Sequence, residues 1–241
     1  MNNGWDESAD AWIASMGDAG DWSRRHVLDP VMIDRVRRGR FETALDVGCG
    51  EGRFCRMLKR HGVDTIGIDP TEKLIAEARQ RDPGGDYRLS RAEALDFEDS
   101  RFDLVVSYLT LVDIDDYRAA IREMARVLQP SGSLLMANMT SVFTARTEGG
   151  WAETADGERL HFRIDRYLEE SADWFEWEDI RIRNWHRPLG AYMRAFLDCG
   201  LTLTFFDEPT PTEEGATERP HYSRVPWFLV MEWRQASPVD R

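Results

Sequence analysis

Apolar and polar positions along the chain fall into stretches of two periods. Trp5, Ala9, Trp12, Ile13 and Met16 recur three or four residues apart, as do Leu28, Val31 and Met32 beyond the break at Gly17–Gly20. That spacing predicts two N-terminal helices. Across residues 41–140, short continuous apolar runs alternate with helical stripes. Ala44–Val47, Ile66–Asp69, Tyr87–Leu89, Phe102–Ser107 and Ser133–Met139 read as strands. Phe54, Met57 and Leu58, then Leu74, Ile75 and Ala78, then Tyr117, Ile121, Met124 and Leu128 mark the helices between them. Buried strands alternating with helices predict a parallel sheet with helices on both faces.

After Met139 the period shortens to two. Ile180, Ile182, Asn184 and His186 share one strand face, opposite Arg181, Arg183, Trp185 and Arg187, and Phe162 with Ile164 suggests a partner strand. Residues 141–187 therefore read as an inserted β-rich cap. Leu189, Tyr192, Met193, Phe196 and Leu197 stripe a helix that begins at Pro188 and ends at Gly200. Leu201–Phe206 and Val225–Trp233 read as closing strands, joined by a mobile Pro/Thr/Glu-rich stretch, 208–220. The expected architecture is one α/β domain, 1–241: a helical lid (1–40), a core (41–140), the cap (141–187), and a closing helix and strands (188–241).

Composition trims the possible functions. A net charge of −13 opposes a broad phosphate-binding surface, so no nucleic-acid partner is expected. Three cysteines without metal-ligand spacing fit a reducing compartment and imply no metal site. With no signal-like start and no 18-residue apolar run, a cytoplasmic protein without a membrane span is expected.

The chemistry gathers after the first strand. Gly48, Gly50 and Gly52 alternate in Gly-Cys-Gly-Glu-Gly, where an absent Cβ lets backbone N–H groups approach a ligand. Asp69 ends the next strand 21 residues after Gly48, where a carboxylate can accept hydrogen bonds from ribose hydroxyls. The spacing G-x-G-x-G differs from the dinucleotide fingerprint, and Arg53 occupies the sixth position.

The run Leu45-Asp-Val-Gly-Cys-Gly-Glu-Gly52, with Asp69, resembles the class I S-adenosylmethionine-dependent methyltransferases of small-molecule type (UbiE/UbiG-like, methyltransferase type 11). Two further stretches match. Ser90–Phe97 resembles the family's adenine-binding loop, and Tyr108–Asp113 its fourth motif; the helix, Pro130-Ser-Gly132 turn and strand that follow also agree. The resemblance implies a Rossmann-like, seven-stranded, mostly parallel sheet and S-adenosylmethionine as cofactor. It would be held by Gly48, Gly50, Gly52, Asp69, Pro70, Ala92 and Ser107. Asp46 would order the glycine loop. Arg91 stands where the family commonly has an acid for the adenine amine, so Glu93 or a backbone carbonyl would substitute; Glu93 as a solvated loop charge is the alternative. The N-terminal helices either complete the core or form a lid, with Trp12 or Trp22 near the cofactor and Arg24 or Arg25 pairing its carboxylate.

An aromatic face suits the cofactor's sulfonium, and Tyr108 is the candidate. If the acceptor carries a proton, His186 is the candidate base, although a histidine on an apolar face is commonly structural. Trp151, Trp174, Trp185 and Tyr167 enrich the cap in aromatic surface, which suits a flat aromatic or heteroaromatic acceptor. Trp227 and Trp233 read as core. The expected activity is N- or O-methylation of such a metabolite by a monomer or homodimer. The alternatives are methylation of RNA or protein, and a non-catalytic binder of the cofactor.

Overall fold

The computed structural model describes residues 3–235, so the outermost residues of the expected 1–241 domain lie outside the described residues. In chain order the elements begin with α1 (Trp5–Met16), a π-helical turn (Arg24–Leu28) and α2 (Asp29–Gly39). The core follows: β1 (Thr43–Val47), α3 (Arg53–Arg60), β2 (Asp64–Asp69), α4 (Glu72–Arg81), β3 (Asp86–Leu89), β4 (Phe102–Tyr108), α5 (Tyr117–Val127) and β5 (Leu128–Met139). Next come α6 (Ser141–Thr144), β6 (Arg146–Glu153), β7 (Arg159–Ile164), β8 (Ser171–Trp177) and β9 (Ile180–His186). The chain closes with α7 (Leu189–Asp198), β10 (Leu201–Asp207), α8 (Glu213–Glu218), a 3₁₀ turn (Pro220–Ser223) and β11 (Phe228–Gln235).

The main sheet has seven strands in the order β10-β11-β5-β4-β1-β2-β3. Neighbours from β5 through β3 run parallel, and β11 is antiparallel to both β5 and β10. This is the predicted Rossmann-like α/β sheet. Its central strands are apolar along their length because both faces are covered: Leu45, Val47, Val105 and Leu134 belong to one core cluster, and Ala44, Leu104, Val106 and Leu135 to the other. The strand order reverses between β1 and β4, which opens a crevice at their carboxyl ends.

Three expectations about the flanking segments change. The insertion forms two separate hairpins, β6–β7 and β8–β9. The partner of β9 is thus Ser171–Trp177, and Phe162 and Ile164 pair instead with β6. The stretch 208–220 contains a helix, because the Thr212 hydroxyl caps α8 by accepting from Gly215 N–H and Thr212 N–H donates to the His26 carbonyl at 2.8 Å. The N-terminal helices also divide their roles. Met32, Ile33 and Val36 of α2 pack into the sheet core, whereas α1 lies against β9, with Ser8 Oγ donating to the Arg181 carbonyl and accepting from Arg181 N–H.

Candidate functional site

A cavity of about 940 Å³ opens above the carboxyl ends of β1, β2 and β4, beneath α1, β9 and the 3₁₀ turn. This is near the upper end of the ~300–1,000 Å³ usual for small-molecule sites. A nucleoside and a second ligand together fit a space of that size.

One end is built by the backbone. Gly48, Gly50 and Gly52 all adopt positive φ, a conformation that strains any residue with a Cβ. The Gly48 and Cys49 N–H groups donate to the Ile68 carbonyl at 2.8 and 2.9 Å, and Gly50 N–H donates to Asp69 Oδ2 at 3.1 Å. The other Asp69 oxygen accepts from Thr71 N–H at 2.8 Å. Burial raises the Asp69 pKa while these two backbone bonds pull it back. The loop-ordering role expected of Asp46 therefore belongs to Asp69 and the Ile68 carbonyl.

Asp46 meets a different environment. It accepts from the Cys55 thiol at 3.2 Å, while its Oδ1 is buried without a hydrogen-bond partner. Burial lifts its carboxyl to about 7. It faces a side pocket of about 50 Å³ bounded by Trp12, Gly50 and Tyr108. A Cβ on Gly50 would meet only Trp12 Nε1, at 3.9 Å, whereas on Gly52 it would strike the Tyr87 ring at 2.6 Å. Gly50 thus keeps space open, and Gly52 serves packing and lies off the cavity wall.

Pro70, Ala92, Glu93, Tyr108, Trp22 and Trp185 join Gly48, Gly50 and Asp69 on the wall. Glu93 is paired with Arg91 at 2.7 Å. The Tyr108 hydroxyl donates to Asp29 at 2.9 Å; burial first, then that carboxylate, hold the phenol well above its usual range. Asp29 also pairs with Arg53, which in turn donates to the Ala19 carbonyl at 2.7 Å. The residue in the sixth motif position thereby ties the N-terminal segment to the glycine loop.

Several candidates lie elsewhere. Arg25 is off the wall, and Arg24 takes the cavity position, paired with Asp21 and lying 4.9 Å from the Trp12 ring. Ser107 is wholly buried in β4 behind the wall. His186 has both ring nitrogens engaged: Nε2–H donates to the Tyr167 carbonyl at 3.0 Å, which leaves Nδ1 to accept from the Thr144 hydroxyl at 2.8 Å. It is a structural residue away from the cavity, and Tyr167 beside it is likewise off the wall. Trp151 packs on Phe162, and Trp174 lies under Arg181 on the outside of the cap.

The aromatic wall comes from other residues. Tyr222 stacks on Trp227 at 4.1 Å, with Trp22 at 4.6 Å from Tyr222 and Phe143 at 4.5 Å from Trp227. Trp227, expected in the core, precedes the first residue of β11 and so faces the cavity; Trp233 is fully buried as expected. Also unforeseen is the loop after β4. Asp113 accepts from Trp5 Nε1–H at 3.2 Å and from the Asn184 amide, joining α1, β9 and the core. Beneath that loop, Arg187 donates to the carbonyls of Leu111, Ile114 and Asp115.

A group with a ribose, a flat base and a charged amino-acid tail fits these features. Asp69 and Ala92 line one wall, Gly50 leaves backbone-lined space, and Asp46, whose Oδ1 is buried without a partner, borders the side pocket. Among the described residues, no group of three or more metal-ligating side chains is placed to hold an ion.

Comparison with known proteins agrees. Residues 45–136 match the methyltransferase-domain family. A demethylmenaquinone methyltransferase from Renibacterium salmoninarum is 26% identical over 205 residues, covering 76% of this chain and 84% of that protein. A malonyl-[acyl-carrier protein] O-methyltransferase from Enterobacter lignolyticus is 29% identical over 149 residues, which is 62% of this chain but only 57% of that enzyme's length. A crystal structure of an S-adenosylmethionine-dependent methyltransferase from Mesorhizobium loti superposes with a TM-score of 0.75 at 28% identity, covering 91% of this chain and all of that one.

Proposed function

Since residues 45–136 match the methyltransferase-domain family and the fold is that of an S-adenosylmethionine-dependent methyltransferase of known structure, we propose that the protein methylates a nitrogen or oxygen of a small, flat aromatic or heteroaromatic metabolite in the cytoplasm. The observation that carries this reading is one continuous cavity, with the glycine loop and Asp69 at one end and the Trp22–Tyr222–Trp227–Phe143 surface at the other. Stacked and tilted rings of this kind favour a planar ligand. The relative named for demethylmenaquinone and another named for ubiquinone biosynthesis support a ring-bearing acceptor.

When bound, S-adenosylmethionine supplies a methyl group on a good leaving group. The protein's part is to hold the acceptor in line and to exclude water. Asp69 would hold the ribose, the Ala92 segment the base, and Asp46 with the glycine loop the amino-acid tail. Trp12 and Tyr108 present aromatic faces beside that tail, where they would stabilise a sulfonium.

The test is transfer of label from methyl-labelled S-adenosylmethionine into separate small-molecule, RNA and protein pools. Label confined to the small-molecule pool, and lost in Asp69→Ala, is the expected result. Label in RNA or protein would overturn the reading, and binding without any transfer would favour a sensor of the cofactor.

A further inference from the structure

The loss of His186 as a candidate leaves the acceptor's proton without a destination, and the cavity offers one. Asp113 lies in the loop at the carboxyl end of β4, where ligands of doubly wound sheets bind, and it lines the cavity. Its two oxygens accept from Trp5 Nε1–H and the Asn184 amide. Both donors are neutral, and among the described residues no cation lies within ion-pairing distance of it. Each carboxylate oxygen has a second lone pair, so a further hydrogen bond remains open to it. Three other carboxylates on the wall are committed. Asp21 is paired with Arg24, Glu93 with Arg91, and Asp69 with two backbone N–H groups.

We propose that Asp113 is the general base of the reaction, and that the acceptor therefore carries its methylated atom as a ring hydroxyl or N–H. This rests on the methyl-transfer reading. The acceptor's oxygen or nitrogen forms a bond to the methyl carbon, the carbon–sulfur bond breaks with its electron pair going to sulfur, and the acceptor's proton passes to the Asp113 carboxylate. S-adenosylhomocysteine and the methylated acceptor leave, and water takes the proton.

The environment suits such a base. Burial raises the Asp113 carboxyl to about 7, with Asp69 adding to the rise while Asn184, Trp5 and Arg24 oppose it. Other charged groups share the cavity: Asp6 from α1, Arg183 from β9, Glu178 from the β8–β9 turn, and Asp115 and Asp116 from the loop itself. A base poised near the working pH is the efficient choice. Trp5 and Asn184 act as positioning residues, since they fix the carboxylate's orientation from the lid and the cap.

The experiment offers labelled S-adenosylmethionine with two probe sets, catechol and hydroxyquinolines in one, and quinoline and nicotinamide, whose ring nitrogens carry no proton, in the other. Wild type, Asp113→Asn and Asn184→Ala are compared across pH, alongside a ¹³C-carboxyl NMR titration without ligand. Wild type should label the hydroxyl set, with turnover rising through a midpoint near that of the carboxyl. Asp113→Asn should lose about 100-fold or more in kcat, with S-adenosylhomocysteine binding unchanged, and one carboxyl titration near neutrality should vanish. Asn184→Ala removes a bond that lowers the carboxyl's midpoint, so both the NMR midpoint and the acid limb should move to higher pH together. Preference for quinoline or nicotinamide, or an Asp113→Asn enzyme that keeps its rate and acid limb, would overturn the base alone. Binding of S-adenosylhomocysteine without label on any probe would overturn the methyl-transfer reading, and the base with it.

Discussion

Replacing Arg187 by methionine probes how the loop carrying Asp113 is held. The guanidinium is 1% exposed and lies 4.2 Å from the Tyr117 ring and 4.8 Å from that of Trp185. It donates to the Leu111 carbonyl at 2.9 Å, to Asp115 at 3.0 Å and also to Ile114. Its nearest carboxylate is Glu170, 3.9 Å from Nε, so the carbonyl dipoles carry most of the compensation for its charge. Methionine keeps much of the apolar stem and removes every donor. Hydrogen bonds to a charged group contribute about 1.5 kcal/mol each at the low end, net of desolvation. Three of them, less some relief from no longer burying a cation, give an expected loss of about 3–4 kcal/mol. At roughly 2–4 °C per kcal/mol for a chain of this size, Tm should fall by about 10 °C. Urea unfolding at constant m measures the loss directly. Arg187→Lys should recover less than half, because a point charge cannot reach three carbonyls as a planar fork does. A methionine variant within about 1 kcal/mol of wild type, a small loss on the usual scale, would refute the reasoning. The loop would then be held by the Trp185 N–H bond to the Val112 carbonyl and by Asn184.

Other outcomes follow from the same geometry. Gly50→Ala and Gly52→Ala should separate binding from stability: both place a Cβ at positive φ, costing about 1 kcal/mol. Only alanine at 52 also strikes the Tyr87 ring, so its melting temperature should fall further. Alanine at 50 should mainly weaken S-adenosylhomocysteine binding in calorimetry, and equal melting temperatures would count against the distinction. His186→Phe should lose about 1–3 kcal/mol in urea unfolding, because the Thr144 hydroxyl and Tyr167 carbonyl lose their partner. Its turnover and pH profile should stay unchanged; a 100-fold fall in kcat would restore His186 as the base. Asp46 ordinarily titrates at 3.8 and is raised to about 7 here, so between those values the native state holds a proton that the unfolded chain releases. Stability should therefore fall as pH rises through that window, by at most roughly 4 kcal/mol at ~1.4 kcal/mol per pH unit. Asp113 is raised to a similar value and Asp69 is raised as well, so Asp46→Asn should remove part of the slope in urea midpoints measured across pH, and an unchanged slope would refute the assignment.

The cofactor end was legible because backbone constraints select few residue types. A strand buried on both faces must be apolar, and a turn with three positive φ values needs glycine at each. Asp69 is where it is because a strand ending at the crevice presents its last side chain there. The acceptor wall lacked such a signal. Phe143, Tyr222 and Trp227 lie in a short helix, a 3₁₀ turn and a strand approach, and none of these has a period to read. His186 was correctly placed on the inward face of β9, but at the strand's end that face looks toward Thr144 and Tyr167. Arg187 lies one residue past the strand, where alternation no longer applies, and what looked like an outward arginine is buried. Of the two arginines offered for the cofactor's carboxylate, only Arg24 lines the cavity; both lie in the π-helical Arg24–Leu28 turn, whose winding differs from the 3.6 residues per turn of an α-helix.

The two ends of the cavity also differ in how they are tied to the rest of the molecule. The glycine loop is held on the adjacent strand end, by two backbone bonds to the Ile68 carbonyl that do not depend on side-chain identity and by one to the Asp69 carboxylate. The acceptor end is closed by long-range contacts: Trp5 to Asp113, Ser8 to Arg181, Arg183 N–H to the Asn3 carbonyl, and Trp22 to Glu218. These join the lid to the cap, the core loop and the segment before β11. Each contact involves side chains or backbone far apart in sequence, so a substitution in any one segment can reshape the acceptor wall without touching the cofactor's. A fold that keeps one half on local backbone geometry and the other on side chains meeting at a distance can change its acceptor while its cofactor stays the same. The charge distribution follows this division: the acids committed to backbone or arginine partners lie toward the cofactor end, and Asp113, held only by neutral donors, stands where the two halves meet.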